Sequence, residues 1–294
     1  KTNIYKIYYQ LLVGKTQISL VDANIARLTK LQSDTKVLYQ NGFVEKLDID
    51  KVSVQLANLQ TLKLSTQNSI SIGYLGLKTL MGMPVIDTLL LTDSLSENQI
   101  KTDILIDTYQ YSDRKDFQYA DLGKKLSEFS IKRYKLSALP TLALSSSYAK
   151  NAQRNQFNFF GKGDWFTIST VGINMSVPIF GGFAKDARIK QAQISLEQTN
   201  NTITNLKNQI DNEVLQANYN LKTALSTMDY QKQNMVLAET VYNQTKKKFE
   251  IGTGSNTEIT SAQTDLITAQ TNFINALYSA IIAKVDYQKA IGKL

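Results

Sequence analysis

Apolar residues recur at intervals of three and four through residues 1–82 and again through 183–292, set in a background of Gln, Asn, Lys and Thr. That spacing predicts amphipathic helices. In the later block Ile203, Leu206, Ile210, Val214, Ala217, Leu221, Ala224 and Met228 form one seam with steps of 3, 4, 4, 3, 4, 3 and 4, close to the period of a coiled coil or helix bundle. No Pro or Gly interrupts Ala184 to Glu250, so one helix of 67 residues is expected, about 100 Å long at about 1.5 Å per residue. Gly252-Thr253-Gly254-Ser255-Asn256 should end it, because Gly supplies a C-terminal cap and Ser or Asn caps the helix that follows. The returning helix is expected over about Thr257 to Ala290, with Ile259, Ala262, Leu266, Ala269, Phe273, Ala276, Ala280 and Ala283 on its packed face. Near the start a helix ends at Tyr39-Gln40-Asn41-Gly42 and another opens between Glu45 and Asp48, carrying Ile49, Val52, Leu56 and Leu59. Both pairs are predicted to be antiparallel.

The two pairs align at a constant offset of 210 residues, which matches Tyr39 with Phe249, Gly42 with Gly252, Asp48 with Glu258, Ile49 with Ile259, Leu56 with Leu266, Gln60 with Gln270 and Gly82 with Gly292. Periodic apolar residues alone would not bring both glycine breaks and the acidic residue into register. An internal duplication follows.

Between these blocks the period changes to two. Leu142, Leu144, Ser146 and Tyr148 alternate with Thr141, Ala143, Ser145 and Ser147, and Val171, Ile173, Met175, Val177 and Ile179 alternate with Thr170, Gly172, Asn174, Ser176 and Pro178. Such alternation predicts two strands, each mainly apolar on one face and small or polar on the other. A transmembrane barrel with lipid outside and water inside has that pattern; a soluble hairpin packed on the helices has it too. On the membrane reading Leu142, Leu144, Val171, Ile173, Met175 and Val177 face lipid, and Tyr148, Trp165 and Phe166 stand at the strand ends as an interfacial girdle. Residues 150–164 read as a long exterior loop, and the alternation slips near Ser169, where a bulge or an early loop is expected. Two strands cannot close a barrel, and open edges in lipid leave costly unpaired backbone groups, so the barrel would be shared among subunits. By the repeat, a second strand pair should lie upstream of Lys1; the expectation is that roughly the first third of the natural chain is missing here.

Composition narrows the chemistry. There is no Cys and no His, which excludes Ser-His-Asp and Cys-His machinery, disulfides, and zinc or haem held by those side chains. Gly14-Lys15-Thr16 matches the tail of a phosphate-binding loop, but Tyr9 stands where the first Gly is required and no strand precedes it. No catalytic, metal or cofactor site is expected. The net charge of +8 is spread along the helices, and its densest cluster, Lys246-Lys247-Lys248, has no alternating aromatics, so it reads as a solvated face and not a nucleic-acid surface. No stretch approaches about 18 continuous apolar residues, so a membrane role would fall to strands. The start, Lys1-Thr2-Asn3-Ile4-Tyr5, has no initiator Met and no signal-peptide pattern.

Taken together, the text resembles the TolC family of outer-membrane efflux proteins, here N-terminally truncated. Tyr39-x-x-Gly42 and Phe249-x-x-Gly252 resemble the family's aromatic-x-x-Gly turns, with Asp48 and Glu258 at the acidic position six residues later. Asp113-Arg114-Lys115-Asp116 running into Leu139-Pro140 is similar to the family's helix that leads into a strand, and Val177-Pro178-Ile179-Phe180-Gly181-Gly182 to its strand-to-helix junction. The resemblance implies a mainly α fold with a β-hairpin: long antiparallel coiled-coil helices building an α-barrel, and strands contributing to an oligomeric transmembrane β-barrel. It implies a homotrimer in the outer membrane of a Gram-negative bacterium, extending into the periplasm, with a periplasmic adaptor and an inner-membrane transporter as partners. The corresponding division is 1–82, first helical hairpin; 83–112, equatorial connector, in which Leu89-Leu90-Leu91 is a candidate short strand; 113–138, lead-in helix; 139–182, β-hairpin with exterior loop; 183–294, second helical hairpin.

The resemblance further implies that the turns at Gly42 and Gly252 form the periplasmic aperture. A ring of carboxylates there would favour cations; Glu258 is the candidate, with Asp48 nearby, and a solvated-surface role fits either residue equally. Where well-known members carry an aromatic hydroxyl, an Arg and a second Asp that lock or line the tip, this chain has Phe249, Gly254 and Ser261. Closure by packing, with a weaker polar lock, is therefore expected. The functional expectation is a passive exit duct for small molecules or polypeptides; the alternative is a structural coiled-coil protein with a soluble hairpin.

Overall fold

The computed structural model describes residues 1–93, 95, 109–153, 155 and 165–294. Its elements are α1 (Thr2–Gln40), α2 (Lys46–Met81), a 3-10 turn (Tyr111–Asp113), α3 (Lys115–Leu136), β1 (Thr141–Asn151), β2 (Phe166–Ser176), α4 (Ala184–Glu250) and α5 (Asn256–Ala290). The chain forms two compact units, one of residues 1–114 and 209–294, the other of residues 115–208.

In the first unit α1 packs antiparallel to α2. Gly14 and Gly73 each receive a side chain of the facing helix: a Cβ on Gly14 would meet Ile70 Cγ1 at 2.9 Å, and one on Gly73 would meet Leu11 Cδ2 at 2.8 Å. α5 is the best-buried helix. Ile259, Ala262, Leu266, Ala269, Phe273, Ala276 and Ala280 of its predicted face are all buried; Ala283 is half-buried, while Gln263, Ile274, Leu277, Ile281 and Val285 widen the buried face. An 18-residue window of α5 has a mean hydropathy of 1.2, enough by length and composition to cross a bilayer, but 50% of that window lies inside the protein. Its many alanines raise the average without forming an unbroken apolar run. It is read as a core helix.

The α4 seam is buried at Ile210, Val214, Leu221 and Met228, and continues to Tyr242. The apolar core falls into two clusters. One gathers Val13, Met228, Phe273, Ile274, Ala276, Leu277, Ala280 and Ile281. The other, nearer the turns, gathers Leu28, Leu31, Val52, Leu59, Tyr242, Ile259, Ala262 and Leu266.

Leu89-Leu90-Leu91 is not a strand. Among the described residues it has no ladder partner, and Leu90 is exposed; the segment is instead tied to α1, where Lys15 Nζ donates to Leu91 O at 2.8 Å. Most of the remainder of the expected connector, 94 and 96–108, lies outside the described residues.

In the second unit β1 and β2 pair antiparallel without interruption from Thr141↔Ser176 to Asn151↔Phe166. There is no bulge at Ser169, which pairs with Tyr148. The slip is in the side chains and not in the backbone: the pleat keeps its period of two while the chemistry changes, so Ile168 and Phe166 move to the polar face. β1 also runs through Lys150 and Asn151, two residues into the expected loop; residues 154 and 156–164 of that loop lie outside the described residues.

Candidate functional site

Two regions carry the candidate residues: the helix turns of the first unit and the strand pair of the second. The turns are built alike. After α1 the chain closes with Phe43 N–H donating to Leu38 O at 2.9 Å and Gly42 N–H to Tyr39 O at 3.0 Å; after α4, Thr253 N–H donates to Lys248 O and Gly252 N–H to Phe249 O, both at 3.0 Å. These are paired 6→1 and 5→2 closures, which need a left-handed residue. Gly42 and Gly252 supply it at φ 81° and 76°. Tyr39 and Phe249 thus accept the closing bond of each turn, 210 residues apart.

The acidic residues have an immediate structural task. Ser255 is the N-cap of α5, its Oγ accepting from Glu258 N–H at 3.1 Å, while Glu258 Oε2 accepts from Ser255 N–H at 3.4 Å. Asp48 does the same for α2, Oδ2 accepting from Glu45 N–H at 3.3 Å, with Lys51 Nζ 3.8 Å away. Each carboxylate therefore sits on the positive end of a helix and satisfies an otherwise orphaned N–H. The signal was present as Ser255-x-x-Glu258. Glu258 and Ser261 are exposed, and Asp48 is half-buried.

Phe249 is partly buried against the turn-side cluster, beside a cavity of about 60 Å³ that Arg27, Asp34, Tyr242 and Ile259 also line. Gly254 lies close over the end of α4: a Cβ there would stand 3.0 Å from Phe249 N and 3.1 Å from Lys248 C. A longer side chain at 254 cannot enter without moving the turn. The two turns approach each other through Thr35 Oγ1, which donates to Asn256 Oδ1 at 3.3 Å.

Further from the turns the chain around residues 109–114 forms a clasp. Tyr109 and Tyr111 both donate to the carboxylate of Asp211, Tyr111 at 2.9 Å, and Arg114 Nη1 donates to Glu213 Oε2 at 2.7 Å and to Ala290 O at 3.1 Å. The bond to Asp211, with desolvation, pushes the Tyr109 phenol up to about 12. Gly292 passes within this clasp, its would-be Cβ 2.9 Å from Asp113 C. No periodicity announces tyrosines that bind a helix 100 residues away.

The strand pair sorts the second set. Leu142, Leu144, Ser146 and Tyr148 share one face with Met175, Ile173, Val171 and Ser169. Every residue of β1 is exposed, and Leu142, Leu144, Val171, Ile173 and Met175 are 65–74% accessible. The hairpin is not tucked against helices of its own unit. Val177 lies one residue beyond β2 and Trp165 one residue before it; Phe166, the first residue of β2, is on the opposite face from Tyr148. The three aromatics are brought to one end of the hairpin but not to one face. Among the described residues no group of acidic side chains is placed to hold a metal.

An exposed apolar face on a two-stranded hairpin, in a chain whose long helices turn back through two closures built alike, is the point at which kinship decides. Residues 112–293 match the outer membrane efflux protein family. The chain belongs to that family. It is 21% identical over 298 aligned positions to the outer membrane protein TolC of Vibrio cholerae, covering 99% of this chain and 67% of that protein. It is 21% identical to the proteases secretion protein PrtF of Dickeya chrysanthemi over 69% of this chain, which is 44% of PrtF. Among solved structures it superposes on the Vibrio cholerae outer membrane protein VceC with a TM-score of 0.73 at 16% identity, covering 99% of this chain and 69% of that one. The open-state Neisseria gonorrhoeae MtrE channel gives 0.72 at 13%, covering 99% and 65%. The chain thus spans about two thirds of the length of TolC, VceC and MtrE and less than half of PrtF. Membership of this efflux family places the chain in the Gram-negative outer membrane and among channel proteins, not enzymes; the superpositions agree with its mainly helical fold with a β-hairpin.

Proposed function

We propose that this chain is a subunit of a passive exit duct, carrying small molecules or polypeptides outward from an inner-membrane transporter through a periplasmic adaptor. The carrying observation is the hairpin: one face presents Leu142, Leu144, Val171, Ile173 and Met175, all exposed, the other is Ser-, Thr- and Asn-rich apart from Ile168 and Phe166 at the loop end, and both edges lack a further strand among the described residues. In lipid such edges must be paired, and closure with strands of sister subunits is the way to pair them. A homotrimer is the assembly we infer. The names of TolC, an outer membrane protein, and PrtF, a protein of protease secretion, support an outward route and admit both classes of cargo.

The turns at Gly42 and Gly252 are proposed as the periplasmic aperture and adaptor-docking end. With Phe249 packed against apolar neighbours and Gly254 pressed on the turn, closure there rests on packing. Glu258 and Asp48 would line the aperture only while also capping their helices. The division into two helical hairpins, connector, lead-in helix and β-hairpin is read in the same way.

The chain has no cysteine, so single-Cys variants of the full-length protein in outer-membrane vesicles give an unambiguous test. Thr170→Cys, on the polar face, is expected to react with a water-soluble maleimide, and Val171→Cys to be protected until detergent is added. Equal labelling of the two before detergent would sink the barrel.

A further inference from the structure

α5 carries amides at a strict heptad interval, Asn256, Gln263 and Gln270, and all three are buried. They face α1, where Asn24 (2% exposed) and Thr35 (0%) are the buried polar residues. Asn24 is the hub: its Nδ2 donates to Gln270 Oε1 at 2.7 Å, and its Oδ1 accepts from Gln263 Nε2 at 3.2 Å and from Arg27 Nη1 at 3.0 Å. Nearer the turn, Thr35 Oγ1 donates to Leu31 O and to Asn256 Oδ1, while Asn256 Nδ2 and Thr260 Oγ1 are buried with no hydrogen-bond partner among the described residues. A polar residue at a heptad core position fixes register at a cost in stability.

The placement of the hub matters more than its existence. Along α1, Asn24 lies between Val13 of one apolar cluster and Leu28 and Leu31 of the other; along α5, Gln270 lies between Phe273 of the first and Leu266 of the second, while Gln263 reaches Asn24 from within the second, between Ala262 and Leu266. The Asn24–Gln270 pair therefore stands at the boundary between the two clusters, with Gln263 bracing it from the turn side. Apolar side chains are close-packed and lose contacts when separated, whereas amides that part company regain hydrogen bonds with water. An interface interrupted by such a layer can open on one side without disturbing the other.

We propose that the Asn24–Gln263–Gln270 layer is a conformational partition. It holds α1 and α5 in one register when the turns are together, and it lets the turn-side half of the bundle rearrange while the half around Phe273 and Leu277 stays packed. This rests on the exit-duct reading, for which it supplies the element that makes the aperture movable. It locates the latch in the helix interface, several turns from Phe249 and Gly254.

Two measurements on the full-length protein test it. In native-state hydrogen exchange, backbone amides of residues 256–266 are expected to exchange at least tenfold faster than those of 273–285 and as a separate block. In Asn24→Leu/Gln263→Leu/Gln270→Leu, which replaces every amide of the layer by an apolar group, the two blocks merge. In planar bilayers the same variant opens at least tenfold less often than the natural protein, whereas Gln263→Ala, which removes one of the two donors to Asn24 Oδ1 and the tie between Asn24 and the turn side of α5, leaks more. Opposite signs would not arise from a merely structural residue, since both changes would then disturb the bundle alike. If the triple variant does not assemble, the exchange blocks of the natural protein and the leak of Gln263→Ala still decide between the two outcomes. A single exchange block in the natural protein, or bilayer traces of the leucine variant that match it, would overturn the partition and leave the duct standing. A natural protein that never conducts would overturn the duct, and the exchange blocks would still decide the partition.

Discussion

Arginine at Val171 is the sharpest probe of what the hairpin face meets. β2 has 11 residues, Phe166 to Ser176, and Val171 is the central one. Five residues on either side, at about 3.3 Å each, put about 17 Å of strand between Val171 and each end. At a tilt of about 45° that is about 12 Å along the membrane normal, half of an apolar band about 25 Å tall. Val171 is 71% exposed and its neighbours across and along the face are Ser146, Leu144, Tyr148, Ile173 and Ser169, so no carboxylate of the hairpin is at hand to pair with a new charge. In lipid, Val171→Arg should then cost about 2–4 kcal/mol per chain, roughly 30- to 700-fold in the folding equilibrium. Thr170→Arg, one residue away on the opposite face, should cost little. The assay is urea-induced unfolding of the full-length protein in phosphatidylcholine vesicles, comparing midpoints. If the two variants shift the midpoint equally, or Thr170→Arg shifts it more, the assignment of faces is wrong.

Other perturbations test the helical half. Phe249→Ala removes the side chain that packs against the turn-side cluster and should raise conductance of the closed channel, and thus antibiotic leakage, more than a distant surface change such as Thr202→Ala. Ser255→Ala deletes the cap of α5 and should cost about 0.5–2 kcal/mol, seen as a lower Tm in detergent. Gly292→Ala must adopt a φ of 81° and push on Asp113; a loss of about 1–3 kcal/mol is expected from the backbone alone, and an unchanged Tm would count against the clasp. The clasp also has a pH signature. Because the folded Tyr109 phenol sits at about 12, above the ordinary 10, its contribution is complete below pH 10 and is lost as the pH rises toward 12. Asp211→Asn should bring the tyrosinate absorbance of Tyr109, identified by difference from Tyr109→Phe, back toward the ordinary value.

Much of the architecture was legible because it is local. The long rod from Ala184 to Glu250, the breaks at Gly42 and Gly252 and the strands follow from the period of apolar positions and from where Gly and Pro fall, and the repeat follows from a constant offset. These depend on neighbours three, four or two residues away, so one chain read alone contains them. Composition settled the exclusion of Cys and His chemistry in the same way. Other features came only from contacts between distant segments. Continuous pairing through Ser169 was decided by the partner strand, which turned Phe166 and Ile168 to the polar face against the expected slip. Leu89-Leu90-Leu91, apolar enough for a strand, has no ladder partner among the described residues and is tied instead to Lys15 of α1. The amide layer was invisible because Asn24 and Gln263 are 239 residues apart, and a buried glutamine has the same letter as a solvated one. Period and turn chemistry fix which elements form; which polar groups are taken out of water, and what meets them there, is settled only when helices far apart in the chain are laid side by side.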